Sequence, residues 1–191
     1  MSKQRRNRKP KAEPPATPEQ VITSRIHAPG CAWIFTHDCA EALAALRSVD
    51  HAACDQLEAL PRAAERFGLP AENNGEHPDR HHESHRCPVG SQVPNLKGFA
   101  FSETLPMPWA GELKTISSDG RTLYRLYFIE GRPDWPPPTD LIIGAGVGQK
   151  PVDENTAWCS DDQTEDMHSA MVSGVTYCTN TGRRWRRWNT A

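Results

Sequence analysis

Two strand-like runs, Gly111 to Ile116 (GELKTI) and Leu123 to Ile129 (LYRLYFI), stand either side of Ser117-Ser118-Asp119-Gly120. No other feature constrains the fold as strongly. An Asp-Gly pair supplies the positive backbone angles of a tight hairpin turn, and the flanking runs are rich in the β-branched and aromatic residues that suit a pleated surface. In the second run Leu123, Arg125, Tyr127 and Ile129 share one face and Tyr124, Leu126 and Phe128 the other, because side chains alternate along a strand. The segment 131–139 (GRPDWPPPT) cannot continue a ladder, since proline lacks the donor. Leu141 to Val147 (LIIGAGV) then predicts a third, buried strand closed by Gly148-Gln149-Lys150-Pro151.

Upstream, Cys31 to Thr36 (CAWIFT) predicts a first short strand. Asp38 with Glu41 three residues later reads as a helix N-cap in a capping box. Leu43 and Leu46 lie on one face of that helix. A second helix is expected from about Ser48, with Ala53, Leu57 and Leu60 on one side, a kink or restart at Pro61 and a stop at Gly68 after Phe67. Downstream, Thr164 to Val172 has helical periodicity, with Met167, Ala170 and Met171 together. The fold class expected is α+β, a small twisted antiparallel sheet with a helical hairpin packed on one side.

Composition sets the limits of this domain. Hydrophobic residues make up 37% of the 191, and the 17 prolines are clustered, which leaves room for one ordered core flanked by polar segments. Residues 1–22, rich in Lys, Arg and Pro, are expected to be a disordered basic tail. Residues 23–180 are expected to form a single domain with a polar insertion at 70–95, and 181–191 a basic Arg/Trp tail. The net charge of −2 hides a polarity: residues 1–22 and the last nine each carry +4, and the body between carries −10. Basic ends attract polyanions or acidic partners, although solvated tails have the same composition. No apolar run approaches the roughly 20 residues of a membrane span. Met1 to Lys11 is followed by Glu13, Pro14 and Pro15 in place of an apolar signal core, so a cytoplasmic protein is expected. In that setting the six cysteines, widely and irregularly spaced, are expected to stay reduced.

The order of motifs has a parallel. Leu96-Lys97-Gly98 precedes the hairpin; GELK, a turn, LYRLYF with its Tyr124-Arg125, an apolar strand, Gly148-Gln149-Lys150 and a helix near Glu165 follow. This order resembles the RelE/HigB-type toxins of type II toxin-antitoxin systems, over about 40–68 and 94–172. The resemblance implies a ribosome-dependent messenger RNA endonuclease that works without a metal or other cofactor. Such an enzyme promotes 2′-hydroxyl attack with cations around the scissile phosphate and a group that moves a proton. Carried over by position, Lys114, Arg125 and Lys150 would stabilise phosphate charge and His168 would transfer the proton, with Arg121 as a further phosphate contact. The implied partners are the ribosome, messenger RNA and a cognate antitoxin.

Other readings of the same residues stand beside this one. Lys114 and Arg125 also fit cross-strand solvent positions balanced by Glu112 or Glu130, and His168 fits a surface or capping histidine. Glu112 and Pro151 stand where the toxin pattern would favour further cations, and six carboxylates (Asp153, Glu154, Asp161, Asp162, Glu165 and Asp166) close to the site in sequence would repel RNA unless they face away. A non-catalytic nucleic-acid-binding or regulatory protein on the same scaffold is the alternative. In the C-terminal run, Arg183, Arg184, Arg186 and Arg187 can pair phosphates and Trp185 can stack on bases. Equally, Trp185 and Trp188 could fold back on the core. The cluster His77, His81, His82, His85 and Cys87 has donors suited to a late transition metal, in a loop without a rigid frame.

Overall fold

The computed structural model describes residues 29–69, 101, 106–132, 140–152 and 160–187. The elements are β1 (Ala32–Phe35), α1 (His37–Val49), α2 (His51–Phe67), β2 (Ala110–Ile116), β3 (Thr122–Arg132), β4 (Leu141–Pro151), α3 (Ser160–Asn180) and β5 (Arg184–Trp185). The basic segment 1–22, the insertion 70–95 with its histidines and Cys87, and Leu96-Lys97-Gly98 lie outside the described residues, as do Asp153, Glu154 and Trp188.

The expected hairpin forms, and its turn is built by short side chains. Ser117 Oγ donates to Asp119 Oδ1 at 2.6 Å and accepts from the Arg121 and Thr122 amides, while Gly120 takes φ +73°. Register follows directly: Lys114 faces Arg125, Glu112 faces Tyr127 and Ala110 faces Ile129. β4 returns antiparallel on the other side of β3, with a bulge at Tyr127/Phe128, and it runs on through Gly148, Gln149 and Lys150 to Pro151, where the sequence suggested a closing turn.

The sheet is not purely antiparallel, which corrects the expectation. Its order is β1-β4-β3-β2, and β1 joins β4 in parallel, Ala32 opposite Leu141 through Phe35 opposite Gly144. A parallel neighbour requires a crossover, and here α1, α2 and the hairpin lie between the two strands in the chain. Close packing at this seam depends on Gly144, where an added Cβ would meet the Phe35 ring at 2.5 Å.

The two sheet faces are covered by different helices. Leu113, Tyr124, Leu126, Phe128 and Ile142 pack against Leu43, Leu46, Leu57 and Leu60 of α1 and α2. Trp33 and Trp109 flank Phe128 there, at ring separations of 5.3 and 6.2 Å. On the opposite face Ile129, Leu141 and Ile143 meet Met171 and Val175, and Tyr127 and Ala145 meet Met167 and Ala170.

Several local expectations change. The N-cap of α1 is Thr36, whose Oγ accepts from the Cys39 amide. Asp38 sits inside the first turn, and its carboxylate accepts from Ser173 Oγ of α3 at 2.9 Å. The helix break falls at Asp50, two residues beyond Ser48. The Asp50 amide donates to Leu46 O to end α1, and its side chain accepts from Ala53 N to start α2. Pro61 neither ends nor restarts α2, which is one helix to Phe67. The proline lacks the helical donor, and its ring is buried. Gly68, φ +80°, stops the helix as expected. α3 is more than twice the predicted length, and no helix among the described residues is long and apolar enough to cross a membrane.

Phe128 is fully buried between the two tryptophans. Phe128→Ala is expected to lower unfolding free energy by about 3–5 kcal/mol, measured by urea denaturation; a loss below about 1 kcal/mol would contradict this packing.

Candidate functional site

The face of the sheet that α3 partly covers carries the residues singled out by the sequence. Across β2, β3 and β4 they form rows. Lys114, Arg125 and Gly148 make one; Ile116, Leu123 and Lys150 the next toward the turn; Glu112, Tyr127 and Gly146 the next toward α3. Sequence reasoning therefore brings Lys114, Arg125 and Lys150 to one surface, with Arg121 exposed at the turn beyond it.

What that surface can do is set by Glu112. Arg125 Nη1 donates to Glu112 Oε1 at 2.9 Å and Oε2 at 2.7 Å, so the carboxylate holds the guanidinium from the neighbouring strand one row away. Both groups are buried, with side-chain exposures of 11% and 2%. Gln163 of α3 extends Nε2 to Glu112 Oε2 at 3.5 Å, closing the pair from above. A neutralised guanidinium under a helix is not poised to receive a phosphodiester. Arg125, expected among the cations around a scissile phosphate, thus lies paired with Glu112 and only 11% exposed. Glu112 was visible in the sequence as a departure, but not its reach to Arg125.

α3 docks beside this pair through a notch. At Gly148 an added Cβ would lie 2.5 Å from Asp166 Oδ2 and 2.8 Å from the Tyr127 ring. The half-buried Asp166 carboxylate accepts from the Gln149 backbone amide. Burial pushes its pKa up, and Asp162 and Glu165 push it further, against a smaller lowering from the Gln149 amide. Tyr127 is raised as well, chiefly by burial and then by Glu112. His168, the expected proton-transfer group, packs edge-on against Phe101 with ring centroids 5.9 Å apart.

The C-terminal arginines divide. Arg184 and Trp185 form β5, which pairs antiparallel with Gly131 and Arg132 of β3, and Arg187 bridges to Pro108. This segment completes the sheet, where a basic tail was expected. Arg186 is buried; its Nη1 donates to Glu130 Oε2 at 2.8 Å, and the guanidinium lies 5.0 Å from the Trp109 ring centre. Expected as an RNA contact, Arg186 is placed in the core by the structure. Trp185 folds back, its Nε1 donating to Pro106 O at 3.1 Å, and it offers no open stacking platform. Arg184 and Arg187 remain exposed and Arg183 half-exposed.

Cys31, Cys39, Cys54 and Cys178 are buried free thiols. Burial and the Glu65 carboxylate raise Cys31 to about 11; burial and Asp38 raise Cys39 to about 12. Neither is a thiolate at neutral pH, so neither is a ready nucleophile. Among the described residues no group of three or more His, Cys, Asp or Glu is arranged to hold a metal. Comparison with protein-family models, with characterised proteins and with solved structures yields no match for this chain.

Glu112→Ala would leave Arg125 buried without its carboxylate and is expected to cost about 3–5 kcal/mol, whereas Glu112→Leu with Arg125→Met should recover most of it. Equal stability of Glu112→Ala and wild type in chemical denaturation would refute the burial of this pair. The raised pKa of Asp166 has the opposite consequence. Its stabilising contribution is complete below the ordinary carboxyl pKa of 3.8 and is lost as pH rises through the folded value. Asp166→Asn keeps an acceptor for the Gln149 amide and is therefore expected to raise Tm at pH 7 and to flatten stability between pH 4 and 7. A lower Tm at pH 7 would reverse the assignment.

Proposed function

We propose that this chain is a non-catalytic RNA-binding protein on a scaffold that resembles the RelE/HigB-type toxins. The observation that carries this reading is the carboxylate of Glu112 on Arg125. The cation that phosphodiester cleavage would use is already neutralised and covered. The order of a helical hairpin followed by a three-stranded meander and a further helix supports the scaffold likeness. The exposed Arg184 of β5 and Arg187 just beyond it, set against a body of −10, support a phosphate-binding edge separate from the sheet face. Contacts of that kind bind the RNA backbone with strong salt dependence and little sequence preference. The setting for this role is the cytoplasm.

A second reading keeps catalysis. Lys114 and Arg125 share one row, and Lys150 stands in the next. In that reading the protein is a ribosome-dependent messenger RNA endonuclease, restrained by a cognate antitoxin, and Glu112 must release Arg125 when the message binds.

The two separate in one experiment. Wild type and Arg125→Ala are expressed in a bacterial host while growth and messenger RNA ends are followed. Unimpaired growth and intact messages are expected for both. Purified wild type should retain labelled RNA on filters at low salt and release it as salt rises. Growth arrest with new ends inside translated codons, abolished by Arg125→Ala, would replace the binding reading with the nuclease. Failure to retain RNA at low salt would remove the binding reading.

A further inference from the structure

The register of β5 places two arginines directly opposite one another. Arg132 of β3 pairs with Arg184 of β5, immediately beyond the Gly131–Trp185 pair. Directly opposed residues of an antiparallel ladder have Cβ atoms about 4.5–5.5 Å apart, and like charges there destabilise the strand pair. Arg132 is half-exposed and Arg184 exposed, so both guanidinium groups reach solvent. Among the described residues no carboxylate forms an ion pair with either: Glu130 is taken by Arg186, and Asp140, whose carbonyl binds the Ala32 amide, makes none with Arg132. Arg186, one residue beyond β5, is thus neutralised inside the fold, whereas this pair meets no carboxylate among the described residues.

An anion seated between the two guanidinium groups would relieve that repulsion. We infer that Arg132 and Arg184 form a two-arginine clamp for a phosphate of the RNA backbone. Two guanidinium forks converging on one phosphodiester is the arrangement in which arginine outperforms lysine, since each presents paired donors in a plane. The indole of Trp185 is committed to Pro106, so the clamp reads backbone and not bases. The clamp rests on the RNA-binding reading and names where on the molecule that binding occurs. Arg132 carried no signal in the sequence, because its partner is 52 positions away and only the strand register unites them.

A clamp of this kind opposes stability to function. Arg184→Glu converts the like-charged pair into an attractive one, so its Tm should equal or exceed that of wild type. Its affinity for a labelled 20-nucleotide single-stranded RNA should nevertheless fall roughly tenfold or more, the loss of a charge-assisted contact. The salt slope should become shallower by about one ion. Arg132→Gln and Arg184→Gln, milder at this edge, should each lose affinity without loss of Tm. Arg62→Glu on α2, an equal change of net charge far from β5 in the chain, should stay within about twofold of wild type. If wild type binds and the Arg132 and Arg184 variants bind equally well, or Arg62→Glu loses as much as they do, the clamp is wrong while the RNA-binding reading stands. If wild type itself does not bind, that reading fails and the clamp with it.

Discussion

The central strand is buried along seven consecutive residues, 124–130, and the rest of the molecule is arranged around that fact. A strand hidden on both faces must be covered twice, so α1 and α2 take one side and α3 the other. It must also lose its charges. β3 carries Arg125 and Glu130 within the buried stretch, and leaving either without a counter-ion would cost several kcal/mol. β2 supplies Glu112 for the first and the segment after β5 supplies Arg186 for the second. The two ion pairs are one solution applied at two points of one strand.

This constraint shows why some residues were legible in the sequence and others were not. The hairpin was readable because Ser117, Asp119 and Gly120 act on their own turn. The alternation of β3 was readable for the same local reason, and the structure sorts Tyr124, Leu126 and Phe128 from Tyr127 and Ile129 as expected. The parallel seat of β1 depends on contacts more than a hundred residues apart, and no local pattern encodes it. Thr36 was passed over as a cap because Asp38 with Glu41 imitates a capping box, while the Asp38 carboxylate is drawn to Ser173 on a distant helix.

The candidate site divides along the same line. Lys114, Arg125 and Lys150 were grouped by the order of motifs in the resemblance, and the strand register puts them on one face. Their availability depends on which carboxylate lies in the next row and on the path of α3, which are tertiary facts. The C-terminal arginines look equivalent as a string of letters. Position along the ladder separates them: Arg186, opposite the buried Glu130, stacks on Trp109 inside, while Arg184, opposite Arg132 at the end of β3, stands outside. Cationic character in a short run is thus a poor guide until the ladder that sorts it is known.

The pairing of β5 with the far end of β3 also bears on how the chain emerges from the ribosome. Trp109 N reaches Arg186 O, and Arg186 N reaches Glu130 O, so the ladder beside β2 is finished by a residue synthesised 77 positions after the first partner and 56 after the second. Chains acquire structure progressively during synthesis. Until that stretch leaves the exit tunnel, Glu130 lacks its guanidinium and the Trp109 amide lacks its acceptor. The nascent sheet therefore spends part of its synthesis with an open, charged seam that only the last residues of this segment close.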